Sequence, residues 1–450
     1  MTVNYEQALE QTVVLREVLP PDHLARFVVM VVAELDLSAI YERYGARGRP
    51  AYAPDILLGL LFYGYATGVF SSRKIERATY GTLPFRFIAG GLHPDHDKIA
   101  EFRKAFLGEI GELFVQILLY AQLLGVLRLG NISLDGTKIH ADASKSKAVS
   151  HKRLLELEVQ LRQEVAELLT LGKQADQGEA QLPDGLVREN EIALRQQRLV
   201  NLAEAKAVLE ARAEERYAAE LADYEAKLHD RVEKARKTGH KPGGLLPKPP
   251  QPGPRDKDQY NFTDSDSRVM KNSSNQGFEQ HYNAQAAVEQ ESLLVVATTL
   301  SNHPSDQREL EPTLDAIPAA LGTPEAAAVD NGYFSRDDIT ACEDRDIEPY
   351  IATGREAHHK NWRAYFATQP ASPPEDTSPT VKMAYKLETE IGQAIYRLRK
   401  CTVEPVIGII KEVLGFRQFS LRGLAKAAGE WCLVCLAWNL KRLHVLAMVN

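Results

Sequence analysis

From His23 to about Leu127, apolar residues recur at three- and four-residue spacings, the period of a helix that buries one face. Glycine, proline and short polar residues interrupt the pattern at Gly45 to Pro50, Gly68 to Ser72 and Gly90 to Asp97. The stretch predicts an all-helical N-terminal domain over residues 1–127. At Val126 the period shortens to two, and the alternation predicts a strand that ends in or near Asp135-Gly136. Two later runs, Gln280 to Val288 and Leu293 to Leu300, flank the turn-prone Glu289-Gln290-Glu291-Ser292 and predict a hairpin. Ala326 to Asp330 predicts a fourth strand, stopping at Asn331-Gly332, and Glu348 to Thr353 a fifth, stopping at Gly354. Helices are expected in Ser305 to Leu321 and in Ser335 to Asp344, where Ser335 is a cap.

Between the first strand and the hairpin, His151 to Lys237 is rich in strong helix formers, with leucines at heptad-like spacing. Leu182-Pro183-Asp184-Gly185 splits this stretch into two helices, and the Pro-rich run Lys241 to Pro254 closes it. The expected organisation is a mixed α/β domain with a five-stranded sheet, residues 128–148 and 258–450, carrying an inserted helical arm, residues 149–257. The element order is similar to the ribonuclease H-like arrangement.

Length and composition narrow this picture. With 450 residues, the chain suggests two to four units at a soft prior of roughly 150 residues each. Apolar residues make up 44% and charged residues 26%, values of a globular rather than a disordered or fibrous chain. Four cysteines, Cys342, Cys401, Cys432 and Cys435, are too few and too irregularly placed for a disulfide framework, so a reducing, cytoplasmic setting is expected. Met1 to Glu10 lacks the basic start and apolar run of a secretory signal, and the longest apolar stretches fall short of the roughly 20 residues a membrane span needs. The net charge of −7 is unevenly distributed. From Tyr396 to Arg442, Arg397, Arg399, Lys400, Lys411, Arg417, Arg422, Lys426, Lys441 and Arg442 face only Glu404, Glu412 and Glu430, which makes the segment a candidate anion-binding face.

Candidate chemistry rests on carboxylates. A lone Asp-Gly after a strand is ordinarily a turn, but Asp135 and Asp330 end strands that are neighbours in this element order, so their side chains can emerge side by side. Two hard oxygen ligands placed so suit Mg²⁺ or Mn²⁺. A third ligand is expected from a neighbouring helix, and Glu404 is the candidate, between the cap residue Thr402 and a first-turn Pro405. Lys411, seven residues on, falls on the same helical face, and with Arg399 it can grip an adjacent phosphate. The alternative for that segment is a solvated, salt-bridged helix. Ser71-Ser72 starts a helix whose first turn carries Arg73 and Lys74, a candidate phosphate contact or an ordinary cap. His140 either approaches a metal or fills the sheet face. Cys432-Leu433-Val434-Cys435 has redox or zinc spacing but apolar surroundings, and Trp431 and Trp438 lie two turns apart on an apolar helix, so core packing is expected for both.

Four blocks occur in order: Leu134-Asp135-Gly136-Thr137-Lys138-Ile139-His140-Ala141, Tyr282-Asn283-Ala284-Gln285-Ala286-Ala287-Val288, Val329-Asp330-Asn331-Gly332-Tyr333-Phe334, and Val403-Glu404-Pro405-Val406-Ile407-Gly408-Ile409-Ile410-Lys411. Together they resemble the signature blocks of DDE transposases of bacterial insertion sequences. Gly48 to Tyr52, Leu57 to Tyr65, Ser71 to Glu76, Pro94-Asp95-His96 and Phe102-Arg103 resemble the helical domain that precedes catalysis in that family. The resemblance covers nearly the whole chain.

It implies Asp135, Asp330 and Glu404 as the acidic triad, holding two Mg²⁺ or Mn²⁺ ions, and Tyr396, Arg399, Lys400 and Lys411 as the aromatic and basic signature that contacts DNA. Many relatives carry the arginine four residues before the glutamate; here Lys400 stands there and Arg399 five before. The implied activity is cleavage at terminal inverted repeats followed by 3′-hydroxyl strand transfer into target DNA. A homodimer on the bacterial nucleoid is expected, because two ends must be held together, with the arm as contact surface, DNA grip or brace. The competing readings are a domesticated, catalytically silent DNA-binding scaffold and a nuclease that cuts without rejoining.

Overall fold

Ile132-Ser133-Leu134 and Ala326 to Val329 carry no charge and no long polar side chain, which suits strands covered on both faces. The computed structural model describes residues 13–44, 52–177, 187–240, 243–271, 277–354, 372 and 377–449. In it these two runs lie side by side in the middle of a mixed sheet.

The strands are β1 (Asn131–His140), β2 (Ala148–Ser150), β3 (Gln259–Asn261), β4 (Arg268–Lys271), β5 (Phe278–Glu289), β6 (Val295–Ser301), β7 (Ala326–Val329) and β8 (Glu348–Ile351). Strands β4, β5, β1, β7 and β8 neighbour one another in that order, and β6 also pairs with β5, which makes six strands among the described residues where five were expected. Strand β5 is antiparallel to β1 from Ile132↔Glu289 to His140↔His281, whereas β1–β7 and β7–β8 are parallel. On the other edge of β5, β4 pairs with residues 278–281 and β6 with residues 283–288, so the two share that edge end to end. The four-residue β4 is too short to show a period of its own in the sequence.

Strand β1 does not stop at Asp135-Gly136. It runs on to His140, because β5 pairs with it along its whole length. Gly136 is a point of close approach rather than a breaker: a Cβ there would lie 2.4 Å from Gln285 Nε2 and 2.8 Å from Asp306 Oδ1.

Helices Leu15–Val18, Leu24–Glu34, Ser38–Arg43, Pro54–Ala66, Ser72–Gly81, Leu83–Ile88, His96–Ala105 and Leu107–Leu123 precede β1. The expected break at Gly45 to Pro50 lies outside the described residues. Of the thirteen residues in Pro54–Ala66, eleven are buried, so this helix has no polar face and needs cover on all sides. Part of that cover comes from the C-terminal helix Leu424–Val449. Polar groups are matched there too: Tyr65 donates to Glu430 Oε1 at 2.9 Å, Arg103 Nη1 donates to Tyr65 Oη at 2.7 Å, and Arg103 lies 3.6 Å from Glu430.

The helices before residue 128 cluster with the sheet in one compact unit, residues 1–142 and 266–450, and residues 143–265 form another. Trp431 is fully buried and donates to Gln285 O, Trp438 donates to Leu293 O, and burial pushes the Cys432 thiol up to about 12 and raises Cys435 well above its ordinary value. These thiols are core groups. Among the described residues no single helix is long and apolar enough to cross a membrane.

The second unit, residues 143–265, contains helices His151–Asp176 and Arg188–Thr238 and the two-stranded sheet β2–β3. The Leu182 to Gly185 break lies outside the described residues. Leu154 and Leu161 meet Leu202, Ala205 and Leu209 in a narrow core closed by Val149 and Tyr260. This is the seam that the heptad-like leucines specify. Arg195–Glu164 at 2.7 Å and Arg216–Asp258 at 2.7 Å flank it.

Candidate active site

Pairing between β1 and β7 ends at Leu134↔Val329, so Asp135 and Asp330 are the next residue on each strand and stand beside one another just past the end of β7. Helix Glu390–Arg399 is capped by Thr389, whose hydroxyl accepts from Gly392 N at 3.0 Å, and it packs on β1 and β7. Its last residue is Arg399. The guanidinium lies 3.3 Å from Asp135 Oδ2, 3.0 Å from Glu404 Oε1 and 3.7 Å from Asp330 Oδ1. The acids that the sequence singled out are thus gathered around one buried cation.

Glu404 lies in helix Val403–Gly408, beginning after Thr402. The expected side-chain cap is not made. Instead the Thr402 hydroxyl is 2.8 Å from both Leu398 O and Ser133 Oγ, which fastens the start of the helix to β1. The backbone then turns π-helical over Ile409–Val413, a local winding common at functional sites. Lys411 accordingly does not flank Glu404 on a regular helix. Its ammonium donates to Thr137 Oγ1 at 2.8 Å and to Lys138 O at 3.3 Å, and burial lowers its pKa. Thr137 shares the sheet face of Asp135, two residues away, so Arg399 and Lys411 address the same side of β1.

Burial raises the Asp135 carboxyl to about 6, helped by Asp330 and Glu404, and opposed by Arg399 and by the hydrogen bond from Gly136 N at 2.8 Å. A carboxyl held above its ordinary value of 3.8 contributes stability that is complete below that value and is lost as the pH rises to about 6. In metal-free protein, the Asp135→Asn variant is therefore expected to lose less melting temperature than the parent over this window. Equal slopes for the two proteins would refute the assignment.

The expected DNA contacts separate into two groups. Arg73, Lys74 and Lys400 are exposed, although Ser71 makes no side-chain cap at the start of Ser72–Gly81. Tyr396 is 9% exposed and packs against Ala328 and Ala352, with Arg399 Cζ 5.7 Å from its ring centroid, so it supports the arginine from within the core rather than meeting a phosphate. Nor is the positive C-terminal segment a single open face. Arg417 pairs with Glu412, Arg422 with Asp142 at 2.8 Å, Lys441 donates to Ala66 O and Arg442 to Ser292 O.

Sequence reasoning missed a second polar cluster, on the opposite face of β1. Asp306 Oδ1 accepts from Lys138 Nζ at 3.0 Å, from Asn283 Nδ2 at 2.8 Å and from Gln285 Nε2 at 3.2 Å, while the buried Tyr333 hydroxyl donates to Gln285 Oε1. The available signal was Asn283-Ala284-Gln285, amides at period two inside an otherwise apolar strand.

Comparison with known families places this geometry. Residues 13–105 match a model described as Transposase domain (DUF772), and residues 250–440 match one described as Transposase DDE domain. The chain belongs to the DDE-type transposases of insertion sequences. No match is found among curated proteins or among solved structures. As a DDE transposase it is a metal-dependent enzyme acting on DNA, and the matched domain implies a ribonuclease H-like fold, in keeping with the mixed sheet. Asp330 and Glu404 of the transposase fall within the matched DDE range, whereas Asp135 precedes it and joins them through the β1–β7 pairing. The donor set suits a divalent cation: carboxylates from two strands and a helix converge on a point where the guanidinium already places positive charge.

Proposed function

We propose that the transposase binds the terminal inverted repeats of its insertion sequence, cuts there, and joins the freed 3′-hydroxyl to target DNA. Asp135, Asp330 and Glu404 are the residues that would hold two Mg²⁺ or Mn²⁺ ions. The observation that carries this reading is their convergence, from distant parts of the chain, on Arg399. When bound, such ions activate an attacking oxygen and stabilise a leaving one in an in-line displacement.

The chain's own residues set up that displacement. Asp135 is fixed by Gly136 N and by β1, and Glu404 by the Thr402–Ser133 contact, so both carboxylates are held before substrate arrives. Arg399 balances their charge from the buried side, supported by Tyr396, and Lys411 brings a second cation to the same strand face. Lys400, Arg73 and Lys74 are exposed cations for the DNA backbone. In the first step a water oxygen bonds to phosphorus and the 3′ oxygen of the element's strand leaves with a proton. In the second, that 3′-hydroxyl bonds to a target phosphorus and the target's own 3′ oxygen leaves. Residues 1–127 are assigned to end binding and assembly, the helical arm to pairing two copies as a homodimer, and the setting is the bacterial cytoplasm, on the nucleoid.

The test is cleavage of DNA carrying the cognate repeats by purified protein with Mg²⁺. Nicks at the repeat ends should leave a 3′-hydroxyl, vanish on chelation with EDTA and return when Mg²⁺ is restored. Cutting that persists in EDTA, or that ignores the repeats, overturns the reading; light scattering that finds only monomers on bound ends removes the dimer.

A further inference from the structure

Strand β5 places Glu279 and His281 on one face, two residues apart, and the antiparallel register sets His140 of β1 directly opposite His281. The side chains meet. The imidazole centroids of His140 and His281 are 4.2 Å apart, His140 Nδ1 lies 2.9 Å from Glu279 Oε2, and one potential ligand atom from each residue falls within 4.8 Å of the other two. This group is on the sheet face opposite Asp135 and five residues further along β1.

His281 supplies the decisive detail. It is fully buried, and its Nδ1 is 2.9 Å from Glu279 O. A carbonyl only accepts, so Nδ1 carries the proton and Nε2 presents a bare lone pair. That Nε2 is buried without a hydrogen-bond partner, a costly arrangement for a polar atom unless something else binds it. An imidazole oriented by a backbone carbonyl through one nitrogen, with the other free, is the arrangement found for histidine ligands of metals.

We propose that His140, Glu279 and His281 form a binding site for a divalent transition-metal ion, with Zn²⁺ the best match. Two imidazoles and one carboxylate suit a borderline-soft ion, whereas Mg²⁺ prefers oxygen donors such as the carboxylates around Arg399. The His140 and Glu279 side chains are 33% and 54% exposed, which gives the ion access and leaves room for water in a remaining coordination position. Bound there, the ion ties the end of β1 to the start of β5.

The experiment is a Co²⁺ titration of the full chain in excess Mg²⁺, read by the visible d–d absorption that nitrogen ligation gives. The expected result is one saturable equivalent of Co²⁺, displaced by Zn²⁺ and retained by Asp330→Asn. Affinity should fall at least about tenfold in His140→Gln and in Glu279→Gln, whose partly exposed positions allow the fold to be checked by circular dichroism. Unchanged Co²⁺ spectra in both folded variants, or no saturable binding by the parent, overturns the proposal. Neither readout depends on DNA cleavage, so failure here is separate from failure of the strand-transfer reading.

Discussion

The Asp330→Asn protein is expected to bind the element's ends as the parent does and to cut them on the order of 10³-fold more slowly, the loss that follows when about 4 kcal/mol of transition-state charge stabilisation is removed. The substitution keeps the shape and removes the charge. Asp330 follows β7 and opens the short 3₁₀ turn Asn331–Tyr333, its side chain is 43% exposed, and it makes no capping bond, so the fold does not depend on its carboxylate. Arg399 retains Asp135 and Glu404 as partners. Gel-shift affinity and single-turnover cleavage on the same preparation separate binding from chemistry. Cleavage within a factor of about 10 of the parent would remove Asp330 from the reacting centre.

Glu430→Ala is expected to destabilise the protein by about 3–5 kcal/mol, the usual cost of stripping one partner from a buried ion pair. Glu430 is fully buried. Its Oε1 takes the Tyr65 hydroxyl, and its Oε2 accepts from Ser420 N at 2.8 Å and Leu421 N at 3.0 Å. Without it, Arg103, only 6% exposed, keeps Tyr65 and Phe70 O but loses its counter-charge, and two backbone amides lose their acceptor. Adding Arg103→Met should recover part of the loss, because the stranded charge goes too. Denaturant midpoints at constant slope measure both changes. A loss below about 1 kcal/mol for Glu430→Ala would show that the network contributes little. Since Arg103 lies in one matched transposase segment and Glu430 in the other, such a loss would also measure how firmly the two are joined.

What was legible in the sequence follows from how local each signal is. The strands that became β5, β6, β7 and β8 were visible because apolar runs ended at turn residues such as Asn331-Gly332. The inserted helices were visible because leucines seven residues apart, Leu154 and Leu161 on one helix and Leu202 and Leu209 on the other, mark one face of each. Asp135 and Asp330 could be placed side by side because neighbouring parallel strands bring their ends together. The full length of β1 was not legible, since Gly136 reads as a breaker until the approach of Gln285 and Asp306 is known. The inward aim of Arg399, the burial of Tyr396 and the Lys411–Thr137 bond depend on how helices settle on the sheet, which charge counting along the chain does not report. The His140–Glu279–His281 group was hidden for a related reason. His140 is far in sequence from Glu279 and His281 and becomes their neighbour only through the β1–β5 register.

That register also explains how a long insertion is tolerated in the middle of a sheet. Ala141 N, just past the end of β1, donates to Gln280 O on β5 at 2.9 Å, so β1 and β5 touch at the point where the chain departs into the insertion. The ends are pinned by the strands themselves, as they would be in a tight hairpin. Loop-closure entropy grows only logarithmically, by about 0.6 kcal/mol for each doubling of loop length. Strands β1 and β5 are thus nearly indifferent to how much chain is spliced between them. In this transposase, residues added to or removed from the arm are expected to leave Asp135, on the strand that precedes it, in register.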